Sequence, residues 1–130
     1  MWTVLLAGAA YVLVGTTTAM LAGRASSPVA VKGWRTVAWL LSLAVFGIHV
    51  AYVRGRGDRR LSVALQVALG VAVGALGLAV LGPVRTHWAD ASRLKLVALS
   101  LLLWPLLTGI PAFVATLLAG FILDRVARRR

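Results

Sequence analysis

The sequence predicts an all-α integral membrane fold, a four-helix transmembrane bundle made of two consecutive hairpins. Of its 130 residues, 61% are hydrophobic and 13% are charged, and the apolar residues occur in long runs. Ordinary soluble domains have about 45–50% apolar and about 25% charged residues. Because a helix needs roughly 20 apolar residues to cross the hydrocarbon core, these runs indicate lipid as the solvent. We expect a single transmembrane domain over residues 1–130.

The first predicted hairpin joins spans at approximately residues 2–22 and 36–53. Its inner link contains Ser27 and Pro28, a residue pair that suits the N-cap and the first position of a helix. We therefore expect a short interfacial turn before the second span. That span ends at the arginine-rich segment 54–60, which is too short and too charged to be more than a hydrophilic turn.

The second predicted hairpin joins spans at approximately residues 61–82 and 95–123. The last apolar run, from Leu94 to Leu123, would be roughly 45 Å long as a helix, against a hydrocarbon core of about 30 Å. Pro105 and Pro111 lie inside this run, and each removes a backbone donor and clashes with the preceding turn. We expect a kink or a steep tilt between them.

The cations are confined to the gaps between the apolar runs. The chain has 14 Lys and Arg against 3 Asp and Glu, a formal net charge of +11. This distribution predicts contact with anionic lipid headgroups rather than with nucleic acid. The expected headgroup residues are Arg54, Arg56, Arg59, Arg60, Arg128, Arg129 and Arg130.

The distribution of charge also predicts an orientation. The 54–60 turn and the C-terminal tail carry eight of the 14 cations, and the opposite side carries the other six. The positive-inside rule then puts both termini in the cytoplasm, in what we take to be a bacterial cytoplasmic membrane. Because the bias is small, insertion in both orientations and an antiparallel homodimer stay open.

Small residues at helical spacing predict close helix packing. Gly70, Gly74 and Gly77 occur on the third span, and Gly15 and Ala19 occur on the first. Such residues let helix backbones approach in lipid, where no hydrophobic drive brings helices together. The first interpretation is packing within one chain, and the alternative is a homo-oligomer interface.

Few strongly polar side chains fall at membrane depth, and His49 and Thr108 each have two interpretations. His49 either makes a structural contact or ligates a tetrapyrrole or metal, since neutral imidazole serves both. Gln66 inside the third span is the other strong polar group. Thr108 could line a small-solute path with carbonyls freed near the prolines, or it could bond only to its own helix.

The sequence predicts no enzyme, no metal site and no bound cofactor. The absence of cysteine excludes disulfides and thiolate ligands. The three acids, Asp58, Asp90 and Asp124, occur in three separate polar segments. We therefore do not expect the paired carboxylates that acid–base catalysis needs.

In size and span count the chain resembles the small multidrug-resistance transporters and the small dual-topology fluoride channels. The first resemblance implies proton-coupled export by a membrane-embedded glutamate in the first span, but this span contains no acid. The second implies asparagines and paired phenylalanines in the spans, and that pattern is not evident. Both resemblances extend to the architecture alone.

Helix association is the leading functional hypothesis. The chain would be a non-catalytic accessory or scaffold subunit of a membrane complex, or a homo-oligomer. One alternative is an oligomeric channel or facilitator for a small neutral or anionic solute, attracted by positive charge at both faces. The other is a tetrapyrrole-anchoring subunit that uses His49.

Overall fold

The computed structural model describes residues 1–57, 59–81 and 94–127. Each of its four helices is long and apolar enough to cross a membrane. The predicted all-α four-helix bundle is therefore confirmed, and the architecture is that of an integral membrane protein. The helices are α1 (Trp2–Gly23), α2 (Pro28–Gly55), α3 (Arg60–Ala79) and α4 (Leu94–Ala127).

Helix α2 begins at Pro28, well before the start near residue 36 that the hydropathy predicts. Ser27 is its N-cap, and its hydroxyl oxygen accepts a hydrogen bond from the backbone N–H of Ala30 at 3.2 Å. The 28 residues of α2 correspond to about 42 Å of helix, more than the roughly 30 Å of the hydrocarbon core. The expected link up to Arg35 is therefore mostly helix, because the cap and the proline start it early.

Helix α4 continues through both prolines as one helix of 34 residues. Two threonine hydroxyls bond back to carbonyls one turn earlier, Thr108 to Trp104 at 2.8 Å and Thr116 to Ala112 at 2.7 Å. Such bonds satisfy polar groups inside a helix that crosses lipid. The expected kink between Pro105 and Pro111 stays a prediction.

Helix α3 packs against the three other helices, and α1 also packs against α2. Helices α1 and α3 run in the same direction, because Ala7 lies beside Gly70 and Tyr11 lies beside Gly74. Val53 of α2 packs with two valines of α3 to form a small apolar core. Many large apolar side chains are exposed on all four helices, as expected of a protein that lipid solvates.

Candidate functional sites

The glycines predicted to mediate packing on α3 lie against side chains of the same chain. A Cβ built on Gly70 would lie 2.8 Å from Cε1 of His49, and one built on Gly74 would lie 2.6 Å from Cβ of Tyr11. Real Cβ atoms essentially never approach so closely. These two glycines therefore allow α1, α2 and α3 to approach one another.

Gly15 and Gly77 complete the seam between α1 and α3. A Cβ on Gly15 would lie 2.6 Å from Leu78 of α3, and one on Gly77 would lie 2.5 Å from Val12 of α1. Ala19 differs from them, because it is exposed and lines a cleft between α1 and α2. The α1–α3 seam thus uses most of the predicted small residues for packing within the chain.

His49 lies in the interior beside this seam. Its side chain is 6% exposed, and neither ring nitrogen has a hydrogen-bond partner among the described residues. A cavity of about 440 Å³ between α1 and α2 reaches the imidazole ring through mostly apolar walls. Because Gly70 packs against the Cε1 edge between the two nitrogens, a tetrapyrrole on His49 would require α3 to move. That hypothesis stays a prediction.

Tyr11 is a second buried polar group that the sequence interpretation did not single out. Its hydroxyl also has no hydrogen-bond partner among the described residues. Tyr11 and His49 contact α3 at Gly74 and Gly70, which are one helical turn apart. The available signal was that Tyr11 lies four residues before Gly15, on the same small-residue face of α1.

Gln66 and Thr108, the other polar candidates, bond to groups of their own helices. The Gln66 amide donates to the hydroxyl of Ser62 at 3.2 Å. The Thr108 hydroxyl donates to Trp104 and lies 3.3 Å from the carbonyl of Pro105. Each of these two bonds spans about one turn of a single helix. The solute-path hypothesis stays a prediction.

Asp124 joins three helices at one end of the bundle. One carboxylate oxygen accepts from Nη2 of Arg54 at the end of α2, and the other forms an ion pair with Nη2 of Arg60 at the start of α3. The Arg60 guanidinium carbon also lies 4.8 Å from the centroid of the Phe121 ring, within cation–π distance. We call Arg54, Arg60 and Asp124 the arginine–aspartate cluster. Its formal charges sum to one positive charge.

The sequence interpretation missed this cluster because it treated Asp124 as part of the polar tail. Asp124 instead lies inside α4, in its last turns. The sequence did contain a signal for this cluster. In two consecutive hairpins, the second and fourth spans end on the same side of the bundle. An acid at the end of the fourth span must then lie near the arginine-rich turn that follows the second.

A cavity of about 240 Å³ borders the cluster between α2, α3 and α4. Its walls combine the three charged side chains with small and apolar groups from these helices. The residues around it are Val50, Arg54, Gly57, Arg60, Val63, Thr116, Gly120 and Asp124.

The other predicted headgroup residues lie around this end or outside the described residues. Arg56 and Arg59 are exposed beside the cluster. Arg128, Arg129 and Arg130 lie outside the described residues. Contact with anionic headgroups stays a prediction.

The second notable surface is a face of α2 with small residues, whose Gly47, Ala51 and Gly55 line a groove shared with Ala119 and Leu123 of α4. Among the described residues, nothing lies within 4 Å of the position that a Cβ would take at Gly33, Gly47 or Gly55. Ala44 and Ala51 are exposed on the same helix. We call Gly33, Ala44, Gly47, Ala51 and Gly55 the open α2 face. The glycines of the α1–α3 seam differ, because side chains of neighbouring helices occupy the space where their Cβ atoms would lie.

The fold defines the class of this protein, a four-helix integral membrane protein whose helices α1 and α3 are tightly packed. Comparison with family models, with curated proteins and with solved structures finds no match for this chain. Its function is therefore inferred from the surfaces described above.

Proposed function

We propose that this protein is a non-catalytic membrane protein that acts through helix association, and that it self-associates through the open α2 face. The observation that carries the proposal is the contrast between two sets of glycines. Those on the α1–α3 seam lie against side chains of neighbouring helices, whereas no described residue comes within 4 Å of a Cβ built at Gly33, Gly47 or Gly55. Small residues on an outward face permit a second helix to approach closely in lipid.

The spacing of the open α2 face favours a helix as the occupant. Gly47, Ala51 and Gly55 follow the small-xxx-small pattern twice in succession. Gly33, Ala44 and Gly55 are spaced at intervals of 11 residues, a period that keeps them close to one line along the helix. Small residues thus follow this face from Ala44 to Gly55, while Val37 and Leu40 lie on the same face between Gly33 and Ala44.

The partner we propose is a second copy of the chain. A two-fold axis parallel to the membrane normal would bring each small residue of α2 against its counterpart in the other copy, as an isologous interface requires. Like charges at the helix ends would then lie among lipid headgroups, where salt and lipid counter-charges screen them.

The absence of cysteine permits a direct test by cross-linking. Gly47→Cys should cross-link to a second copy in native membranes. Ala115→Cys is the matched control, because Ala115 is a small exposed residue on α4. We expect efficient disulfide formation at position 47 and little at position 115. Equal cross-linking at both positions, or none at position 47, would contradict the proposal.

A second experiment measures association in lipid without any covalent link. Chains labelled with a donor or an acceptor dye should show energy transfer in liposomes, and the transfer should fall as lipid dilutes the protein. Gly47→Leu should abolish the transfer because its side chain holds the helices apart, while Ala115→Leu should leave it unchanged. A wild-type chain that is monomeric at every lipid ratio would overturn self-association.

We also propose that the protein resides in a bacterial cytoplasmic membrane with both termini in the cytoplasm. This proposal is supported by the excess of cations in the 54–60 turn and the tail, eight against six. Reporter fusions at each terminus, one active only in the cytoplasm and one only outside it, test the orientation. Activity of both reporters at the same terminus would indicate dual insertion.

A further inference from the structure

We propose that the arginine–aspartate cluster and its cavity bind one phosphate group. The source is either the headgroup of an anionic phospholipid or free inorganic phosphate, which offer the same oxygens to the arginines. The cavity itself lies between α2, α3 and α4, and Arg54 also borders the neighbouring groove that contains Gly47, Ala51 and Gly55.

The hydrogen-bonding capacity of the two arginines supports a second anion. Each guanidinium has five N–H donors arranged in a planar fork. Asp124 engages Nη2 of Arg54 and Nη2 of Arg60, one oxygen each. A single carboxylate oxygen uses only part of the N–H donors of a guanidinium. Phosphate oxygens have the geometry to accept hydrogen bonds from the other donors.

The charges of the cluster match those of a phosphodiester. Two arginines and one aspartate leave one net positive charge, and a phosphodiester carries one negative charge. Exposed Arg56, Arg59 and Arg125 surround this end of the bundle and add to the positive potential. A bound phosphodiester would therefore neutralise the cluster while the outer cations steer anions toward it.

The location and size of the cavity suit a phosphate group. Its volume of about 240 Å³ is well above the roughly 10–15 Å³ that a cavity needs to hold one water molecule. The side chains of Arg54 and Arg60 are 34% and 42% exposed, so the site is sheltered but reachable. Arg54 lies in the last turn of α2, at the end of an apolar span, where we expect headgroup phosphates in a bilayer.

The start of α3 lies beside the site, because Arg60 lines the cavity. Arg60 is the first residue of α3, and its N-cap, Arg59, makes no side-chain capping bond. Uncapped N–H groups and the positive end of the helix dipole both favour an anion at a helix N-terminus. Phe121 holds the Arg60 guanidinium beside this turn by its cation–π contact.

Binding is tested on the full chain in detergent with two probes, short-chain phosphatidylglycerol and inorganic phosphate. Titration followed by thermal unfolding gives an affinity for each probe. Stabilisation by phosphatidylglycerol alone would identify a phospholipid headgroup site, and stabilisation by both probes would identify a general phosphate site. If neither probe stabilises the protein, the proposal is overturned.

Three variants separate this site from general attraction to positive charge. Arg54→Gln and Arg60→Gln should each weaken binding at least about tenfold, since each removes charge-assisted hydrogen bonds. Arg56→Gln is the matched control, because it removes an arginine from the same end outside the cavity lining. An equal loss in all three variants would overturn the site.

Asp124→Asn gives the most distinctive result. Removing the carboxylate raises the cluster from one to two positive charges and frees both Nη2 groups, so phosphatidylglycerol should bind more tightly than in the wild type. A purely structural cluster would instead bind it equally or less tightly, and that result would contradict the proposal. If this variant does not fold, the contrast between Arg60→Gln and Arg56→Gln decides.

Discussion

Gly74 of α3 lies so close to Tyr11 of α1 that even a methyl group has no room between them. A Cβ at Gly74 would be 2.6 Å from Cβ of Tyr11, an atom fixed directly to the α1 backbone. At Gly70 the corresponding contact, 2.8 Å, is with Cε1 at the far end of the His49 side chain. Relief at Gly74 therefore requires a helix to move, whereas at Gly70 movement of the ring relieves the closest contact and leaves a milder one, 3.2 Å from Cβ of Ala7.

We predict that Gly74→Ala destabilises the bundle and that Gly70→Ala does so to a smaller extent. Overpacking of a tight interior costs about 1–3 kcal/mol, and Gly74→Ala should lie toward the upper end of this range. Reversible unfolding in mixed micelles gives the free energy of each variant. The reverse order of the two variants would contradict this account of the seam.

Gly33→Ala is the control for these variants. No atom of the described residues lies within 4 Å of a Cβ at this position, and alanine has a higher helix propensity than glycine by about 1 kcal/mol. We expect no loss of stability in the monomer and a gain of up to this amount. A loss as large as that of Gly74→Ala would indicate that small residues are required throughout, not at the seam in particular.

We predict that Tyr11→Phe leaves the bundle equally stable or makes it more stable. The Tyr11 hydroxyl is buried without a hydrogen-bond partner among the described residues, and a buried unsatisfied polar group costs about 1–3 kcal/mol. Tyr52→Phe is the control, because Tyr52 is 56% exposed and should show little change. Destabilisation by Tyr11→Phe alone would show that the hydroxyl has a partner in the folded protein.

We predict that Ser27→Ala frays the start of α2. The Ser27 hydroxyl oxygen accepts from the N–H of Ala30, and loss of such an N-cap costs about 0.5–2 kcal/mol of helix stability. Hydrogen exchange of the first turn of α2 should become faster, while exchange near Val53 stays unchanged. Ser26→Ala, at the exposed neighbouring position, should leave the exchange as in the wild type.

We predict that Arg60→Ala loosens the C-terminal part of α4. Arg60 pairs with Asp124 and lies over Phe121, so it links α3 to α4 at two places. Hydrogen exchange over residues 117–127 should become faster in this variant. Arg59→Ala, at an exposed position, is the control, and an equal effect there would show that total charge rather than this contact holds α4.

Much of the fold could be predicted from hydropathy, because each span must satisfy its own backbone and present apolar side chains to lipid. The boundaries were less certain, since hydropathy cannot detect a helix that extends beyond the apolar core. The early start of α2 at Pro28 shows this. The Ser27–Pro28 pair was recognised, but the amphipathic turns after it were expected to form a separate segment.

The candidate sites could be predicted only in part. The packing glycines Gly70 and Gly74 were recognised from their spacing, but spacing on one helix does not identify the contacting residue on another. Tyr11 was missed for that reason, and Asp124 was missed because it was assigned to the polar tail rather than to the last turns of α4. The open α2 face is evident only once the neighbouring helices are in place.

By itself, the sequence determined that the chain consists of four apolar helices with cations between them, because backbone hydrogen bonding and side-chain transfer into lipid are local properties. Only the tertiary structure decided which small residues pack against neighbouring helices, which polar groups are buried and which arginines pair with Asp124. Those properties depend on the distance between residues far apart in the chain. Helix packing sets that distance, and no local pattern encodes it.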